Sequence, residues 1–337
     1  MLPLFGGMNS STVPVMGAAL RAWVLTGLLA CGCGSASTGS LPQNPTTPAT
    51  PATPGRGVPS ATHWVSFYGT AQQMGDLVRV AQTFGVINLD ADPDQHNFTA
   101  AQITTLKADG ANRVISYLNL GACERSRSYW QTVPAGFVGC GANAAAQLGP
   151  YAGYPDETWM NVGNLDYQHL LLDYVAPRLV VQGVDGFFFD NLEVIEHAPG
   201  SGQPVCEAAC SQGGLDLVRR LREKYPALLF VMQNATGLTT QRGTTGGLSF
   251  PSLLDGISHE EVYTPYDAQS ESELLAWQQL TLRPGGRSFW IATEEYVGSC
   301  GNATAARDVY VRSRARGFMP YATDQSAGQR VVCYWGF

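Results

Sequence analysis

Charge is scarce in this chain of 337 residues: Asp, Glu, Lys and Arg make up 14%, against 45% hydrophobic side chains. That balance excludes a chain disordered throughout, and the length supports one large core or two modest ones. The first 60 residues hold no Asp or Glu and two bases, Arg21 and Arg56. Removing those two from the 20 Lys and Arg leaves 18 against 27 Asp and Glu, a net of −9 beyond residue 60. A surplus of that sign argues against nucleic acid and anionic membrane surfaces as partners. Histidine is scarce as well: five are scattered along the chain, and no His or Cys pair completes a zinc site around Cys206 and Cys210, so neither a metal nor another cofactor is expected. A phosphate-binding glycine loop is missing after the first candidate strand, which continues as FYGTAQQMG.

The apolar run at residues 22–30 is too short to cross a bilayer. Following Arg21 and ending in Leu28-Leu29-Ala30-Cys31, it has the form of an export signal. The tetrad resembles a bacterial lipobox, whose cysteine is lipidated, so residues 1–31 read as a signal peptide with Cys31 as the mature, lipid-anchored N-terminus. Translation from Met16 gives the most economical signal and would leave residues 1–15 untranslated. Residues 32–61, rich in Pro, Thr, Ser and Gly, have no apolar periodicity and read as a flexible linker. The expectation is an exported monomer of the cell envelope or outside it, touching membrane only through its lipid, with one folded domain over 62–337.

Six cysteines fall in that domain: Cys123, Cys140, Cys206, Cys210, Cys300 and Cys333. An even number in an exported domain suggests disulfides. Of the connectivities open to six cysteines, pairing of neighbours closes the shortest loops and is the expected one.

From Thr62 onward, β-rich runs at 64–69, 86–90, 113–121, 186–191, 228–234, 256–263, 288–296 and 317–324 alternate with amphipathic stretches, one of them started by Thr99 and closed by Gly110. Eight such units predict a (β/α)8 TIM-type barrel, with a doubly wound sheet as the alternative. Most of the runs end in carboxylates or amides: Asp90, Asn119 with Glu124 soon after, Asp190 with Asn191, Gln233 with Asn234, Glu260 with Glu261, Glu294 with Glu295, and Asp324. In a barrel those ends meet on one face, where the active site lies. Carboxylates, amides and nearby aromatics (Trp64, Tyr68, Tyr117, Trp130, Tyr154, Trp159, Tyr263, Tyr296) suit a sugar site, since glycosidic cleavage needs two carboxyl groups flanking the bond.

The stretches FYGTAQQMGDLVRV, VINLDAD, YLNLGACERSRSYW, GPYAGYPDETWMNV and above all GVDGFFFDNLEV resemble glycoside hydrolase family 114. That resemblance implies the same barrel and endo-cleavage of α-1,4-linked galactosamine or N-acetylgalactosamine polymers. It also implies one catalytic carboxylate at the end of the fourth strand and one at the end of the sixth, here Asp190 and Glu260. Asp190 is expected as nucleophile, with Asn191 as a hydrogen-bond donor, and Glu260 as acid/base. Tyr68, Asp90, Tyr117, Asn119, Glu124, Trp159, Asn191, Tyr263 and Glu294 are the expected substrate contacts. Asp185, at the opposite end of the strand from Asp190, is expected to hold backbone. Trp159-Met160-Asn161 stands where relatives often carry Trp-x-Asp, so a charge is missing there. Glu294 or Glu295 is the alternative second carboxylate, and the rival readings are a non-catalytic carbohydrate-binding lipoprotein and, behind it, a metal-dependent hydrolase.

Overall fold

The computed structural model describes residue 58 and residues 63–280, 289–325 and 328–337. The signal peptide with Cys31 and the linker, apart from Val58, lie outside the described residues. Val58 is buried against the core, just short of the expected domain start.

Strands β1 (Trp64–Phe67), β2 (Val86–Leu89) and β3 (Arg113–Asn119) are followed by three that stand apart, β4 (Ala122–Glu124), β5 (Gln147–Tyr151) and β6 (Tyr154–Met160). The chain continues through β7 (Gly186–Asp190), β8 (Leu229–Gln233), a small hairpin of β9 (Thr244–Thr245) and β10 (Leu248–Ser249), then β11 (Gly256–Glu260), β12 (Trp290–Tyr296) and β13 (Met319–Thr323). Eight of them form one sheet in the order β1-β2-β3-β7-β8-β11-β12-β13, and every paired neighbour is parallel. Each strand is laid beside the last with helix between, which makes a TIM-type barrel and not a doubly wound sheet, whose strand order reverses. At the closing seam Trp64 Nε1 donates to the Met319 carbonyl at 2.9 Å. The C-terminal segment covers that seam: Tyr68 N–H donates to the Gln329 carbonyl at 2.9 Å, and Trp335 Nε1 to the Ala322 carbonyl at 2.8 Å.

Local sequence explains the elements. Thr99 and Gln102 form a reciprocal cap at the start of helix Ala100–Lys107. That helix stops at Lys107, before the expected Gly110, because Ala108 and Asp109 both turn left-handed (φ 45° and 55°). Inside the barrel, Trp64, Phe188, Trp290 and Tyr321 make an aromatic floor, with Trp64 and Trp290 edge to face at 5.2 Å. On the outer face Phe187 and Phe189 pack on Phe230. Above the floor the interior turns polar: Asn88 Nδ2 donates to Ser66 Oγ and to Tyr68 Oη, at 3.1 and 2.9 Å.

Two features bear on the sequence expectations. Disulfides join Cys123 to Cys140, Cys206 to Cys210 and Cys300 to Cys333, the neighbour pairing. The antiparallel sheet β4-β6-β5, inserted between the third and fourth barrel strands, was not foreseen. β5 reads QLGPY and shows no apolar alternation, so period alone does not reveal it.

Candidate active site

The C-terminal ends of the barrel strands open into a cavity of about 510 Å³, within the range that encloses small ligands. Asp190 at the end of β7 and Glu260 at the end of β11 both line it, as do Tyr68, Asp90, Tyr117 and Gln233 from other strand ends. Strand alternation delivers Asp190, since it shares the inward face with Phe188. The residue after each of three neighbouring strands is left-handed: Asn191 (φ 59°), Asn234 (φ 59°) and Glu261 (φ 54°). Asparagine takes that conformation readily and glutamate does not, so Glu261 carries backbone strain beside Glu260. The turn leaves Glu261 exposed while Glu260 lines the cavity, which separates the two adjacent acids.

Both site strands are anchored at their other ends in the same way. Asp185 accepts the Val114 N–H at 3.0 Å and pairs with Lys107 at 2.7 Å. Asp255, before β11, accepts the Phe230 N–H at 3.0 Å and pairs with Arg222 at 2.6 Å. These acids hold strand register, as expected of Asp185.

The acids of the mouth fall into two groups. Asp90 is paired with Arg127 at 2.8 Å, Glu124 with Arg127, and Asp92 with Arg178; Tyr117 Oη also donates to Glu124 at 2.8 Å. In contrast Asp190, Glu157, Glu193, Glu260 and Glu294 have no Lys or Arg partner among the described residues. Burial, then the negative charges of Glu193, Glu260 and Glu157, hold the Asp190 carboxyl well above the usual range, opposed by the Asn191 backbone N–H. Glu157 is pushed up to about 7 by burial and by Glu124, its cross-strand partner, although the amides of Asn119 and Asn191 each donate to it at 3.2 Å. Glu193 is pushed up to about 8 by burial. Asp90 is raised to about 6, also by burial, with Arg127 opposing. Glu260 accepts the Asn234 amide at 2.7 Å and the Tyr296 hydroxyl.

These shifts set a pH dependence for stability. A carboxyl whose pKa is raised by folding binds protons more tightly folded than unfolded, so its contribution is present at low pH and is lost as pH rises through the raised value. For Asp90 (about 6), Glu157 (about 7), Glu193 and Glu295 (both about 8) the window runs from the ordinary carboxylate range up to about pH 8. The thermal midpoint is expected to be several degrees higher at pH 5 than at pH 8, measured by calorimetry. A midpoint that rises over that interval would contradict the buried-acid electrostatics.

The expected contact residues divide. Tyr68, Asp90, Tyr117, Glu124 and Asn191 line the cavity. Asn119 does not: it is buried, and its amide bridges Tyr117 Oη and Glu157 while its Oδ1 accepts the Ala122 N–H. Asn191 supports Asp190 through its backbone, since its side chain is turned to Glu157. Trp159 is buried under Tyr151, and Tyr263 is buried with its N–H on Glu295 and its hydroxyl on Glu271. Glu294 is sealed inside the barrel with neither oxygen hydrogen-bonded; Ser66, which favours its charged form, donates its hydroxyl to Gln329. Glu295 is spent on loop backbone. Sequence reading missed Glu157; Asn234 and Tyr154, read there as a strand-end amide and a nearby aromatic but not among the expected contacts, line the cavity with it. Glu157 lies in the DETW segment of β6 and brings a carboxylate to the mouth on the strand where the Trp-x-Asp charge is missing.

The glycoside hydrolase domain of PelA from Pseudomonas aeruginosa superposes with a TM-score of 0.60 at 15% identity, covering 81% of this chain and 97% of that one. Ega3 from Aspergillus fumigatus, solved in complex with galactosamine, superposes with a TM-score of 0.57 at 13% identity, covering 84% and 97%. An uncharacterized protein of Deinococcus radiodurans is 26% identical over 286 residues, 80% of this chain and 82% of the relative. At such identities the structural likeness speaks for the fold. Residues 43–238, more than half of the chain, match the model of glycoside-hydrolase family GH114, and the chain belongs to that family.

Proposed function

We propose that this glycosidase is exported and cuts α-1,4-linked galactosamine polymers internally, using Asp190 as nucleophile and Glu260 as acid/base. The observation that carries the reading is the meeting of these two carboxyls on one cavity, close enough for the charge of Glu260 to act on Asp190. In a barrel glycosidase one such group attacks the anomeric carbon while the other protonates the departing oxygen, then takes a proton from the water that releases the sugar. Export is supported by the three disulfides, which persist in oxidising compartments. Among the described residues no helix is long and apolar enough to cross a membrane. Ega3, of the same fold, binds galactosamine, and Asp190, Glu157 and Glu260 have no ion-pair partner among the described residues, which suits a substrate that brings its own cation.

The same charges explain how the pair is set for work. The raised Asp190 carboxyl favours its protonated form, which opposes attack until a cation stands beside it. An ammonium placed beside Asp190 and Glu157 lowers both carboxyls, so an amino sugar ionises its own nucleophile. Binding of a galactosamine oligomer to the Glu260→Gln protein at pH 7 is therefore expected to release protons, seen by titration calorimetry in two buffers of different ionisation heat. The N-acetylated oligomer should release none. Equal release by both would remove the amine from the mechanism. Incubation of the wild type with galactosamine polymers, read by new reducing ends, tests the activity itself; binding without cleavage would favour the carbohydrate-binding reading.

A further inference from the structure

The exposed aromatic ring at the cavity is not the tryptophan of the DETW segment but Tyr154. Trp159 is 2% exposed and works from below: it stacks on Tyr151 with centroids 4.0 Å apart and planes 23° from parallel, with His197 against it edge-on at 4.6 Å. Tyr151 in turn packs on Tyr154 at 4.7 Å, and its hydroxyl donates to Asn191 Oδ1 at 3.4 Å. Tyr154 sits beside the turn between β5 and β6, made tight by Gly153 at φ +89°, and it lines the cavity while 39% exposed. The negative charges of Glu260, Glu157 and Asp190 are all felt at its hydroxyl. An aromatic ring with a purely structural task would be buried like Trp159. This one is held in water beside the carboxylates, on a stack of two rings that leads down into the core.

We propose that Tyr154 is the stacking platform for a sugar ring bound next to the cleavage point, stiffened from beneath by Tyr151 and Trp159. The C–H face of a pyranose loses water against an aromatic face, and the negative face of the ring also attracts an ammonium. Support from the two rings below lowers the cost of ordering the platform on binding. The inference rests on the cavity being the polymer-cleaving site proposed above.

Steady-state cleavage of galactosamine oligomers and polymer by Tyr154→Ala and Tyr154→Phe tests it. Tyr154→Ala should raise KM about tenfold with kcat within about twofold, the effect expected of lost ring contact. Tyr154→Phe, which keeps the ring, should stay near wild type, and neither change should lower the unfolding temperature appreciably. Unchanged KM in Tyr154→Ala overturns the inference alone, as does a Tyr154→Phe defect equal to that of Tyr154→Ala, which would assign the role to the hydroxyl. A wild type that cleaves no galactosamine polymer overturns the proposed function and this inference with it.

Discussion

Asp190→Asn and Glu260→Gln are each expected to reduce cleavage of a galactosamine polymer by about 10³-fold or more, because each removes the atom that attacks or the proton that moves. Both changes keep side-chain volume. Asp190 is also crowded by like charge, so its neutral replacement should unfold no earlier than wild type. Reducing-end release and a thermal melt on the same preparation separate lost chemistry from lost fold. With Asp190 as nucleophile the cut passes through a covalent intermediate, and the first-formed reducing end keeps the α configuration in proton NMR. An Asp190→Asn protein cleaving at wild-type rate would take Asp190 out of the reaction, and a β product would make the second carboxylate a base toward water.

Gly121→Ala is expected to be the most destabilising small substitution in the domain. A methyl group on Gly121 would lie 1.7 Å from the carbonyl oxygen of Asn191 and 2.6 Å from its carbonyl carbon. Neither chain can retreat easily, since the Leu120 N–H donates to the Asp190 carbonyl at 3.0 Å and the Met160 N–H to the Gly121 carbonyl at 2.8 Å. Overpacking against fixed backbone puts the loss at about 4 kcal/mol or more, a fall of roughly 10 °C in midpoint for a domain of this size. Folded protein that survives should have Asn191 and Asp190 displaced and be nearly inactive. Gly301→Ala, whose methyl would meet only Ser299 Oγ at 3.5 Å, is the control. Equal midpoints for the two variants would refute the close crossing. The glycine of the YLNLG motif is thus explained by its close approach to Asn191, just after the end of β7.

The barrel was legible because each of its strands is a short apolar run that ends abruptly in polar residues, and burial on both faces writes that pattern plainly. The placement of Asp190 and Glu260 at the cavity and the structural part played by Asp185 followed from position along those runs. The inserted sheet was not legible: β5 is half-buried along most of its length and the start of β6 is exposed, so nothing in their sequence had to alternate. Trp159 shows a second limit. Sequence places an aromatic near the mouth without saying which way its ring faces, and the fold turns Trp159 inward and Tyr154 outward.

What this sequence determined by itself was local in cause: the number and order of strands, the residues at their ends, the family, and the neighbouring cysteines. Only the tertiary structure decided which acids are ion-paired and which are not, because Arg127 and Arg178 reach Asp90 and Asp92 from far along the chain while Asp190 and Glu157 have no ion-pair partner among the described residues and are crowded by other carboxylates. Burial and through-space charge set where the protons sit, and neither is a property of a residue's neighbours in sequence.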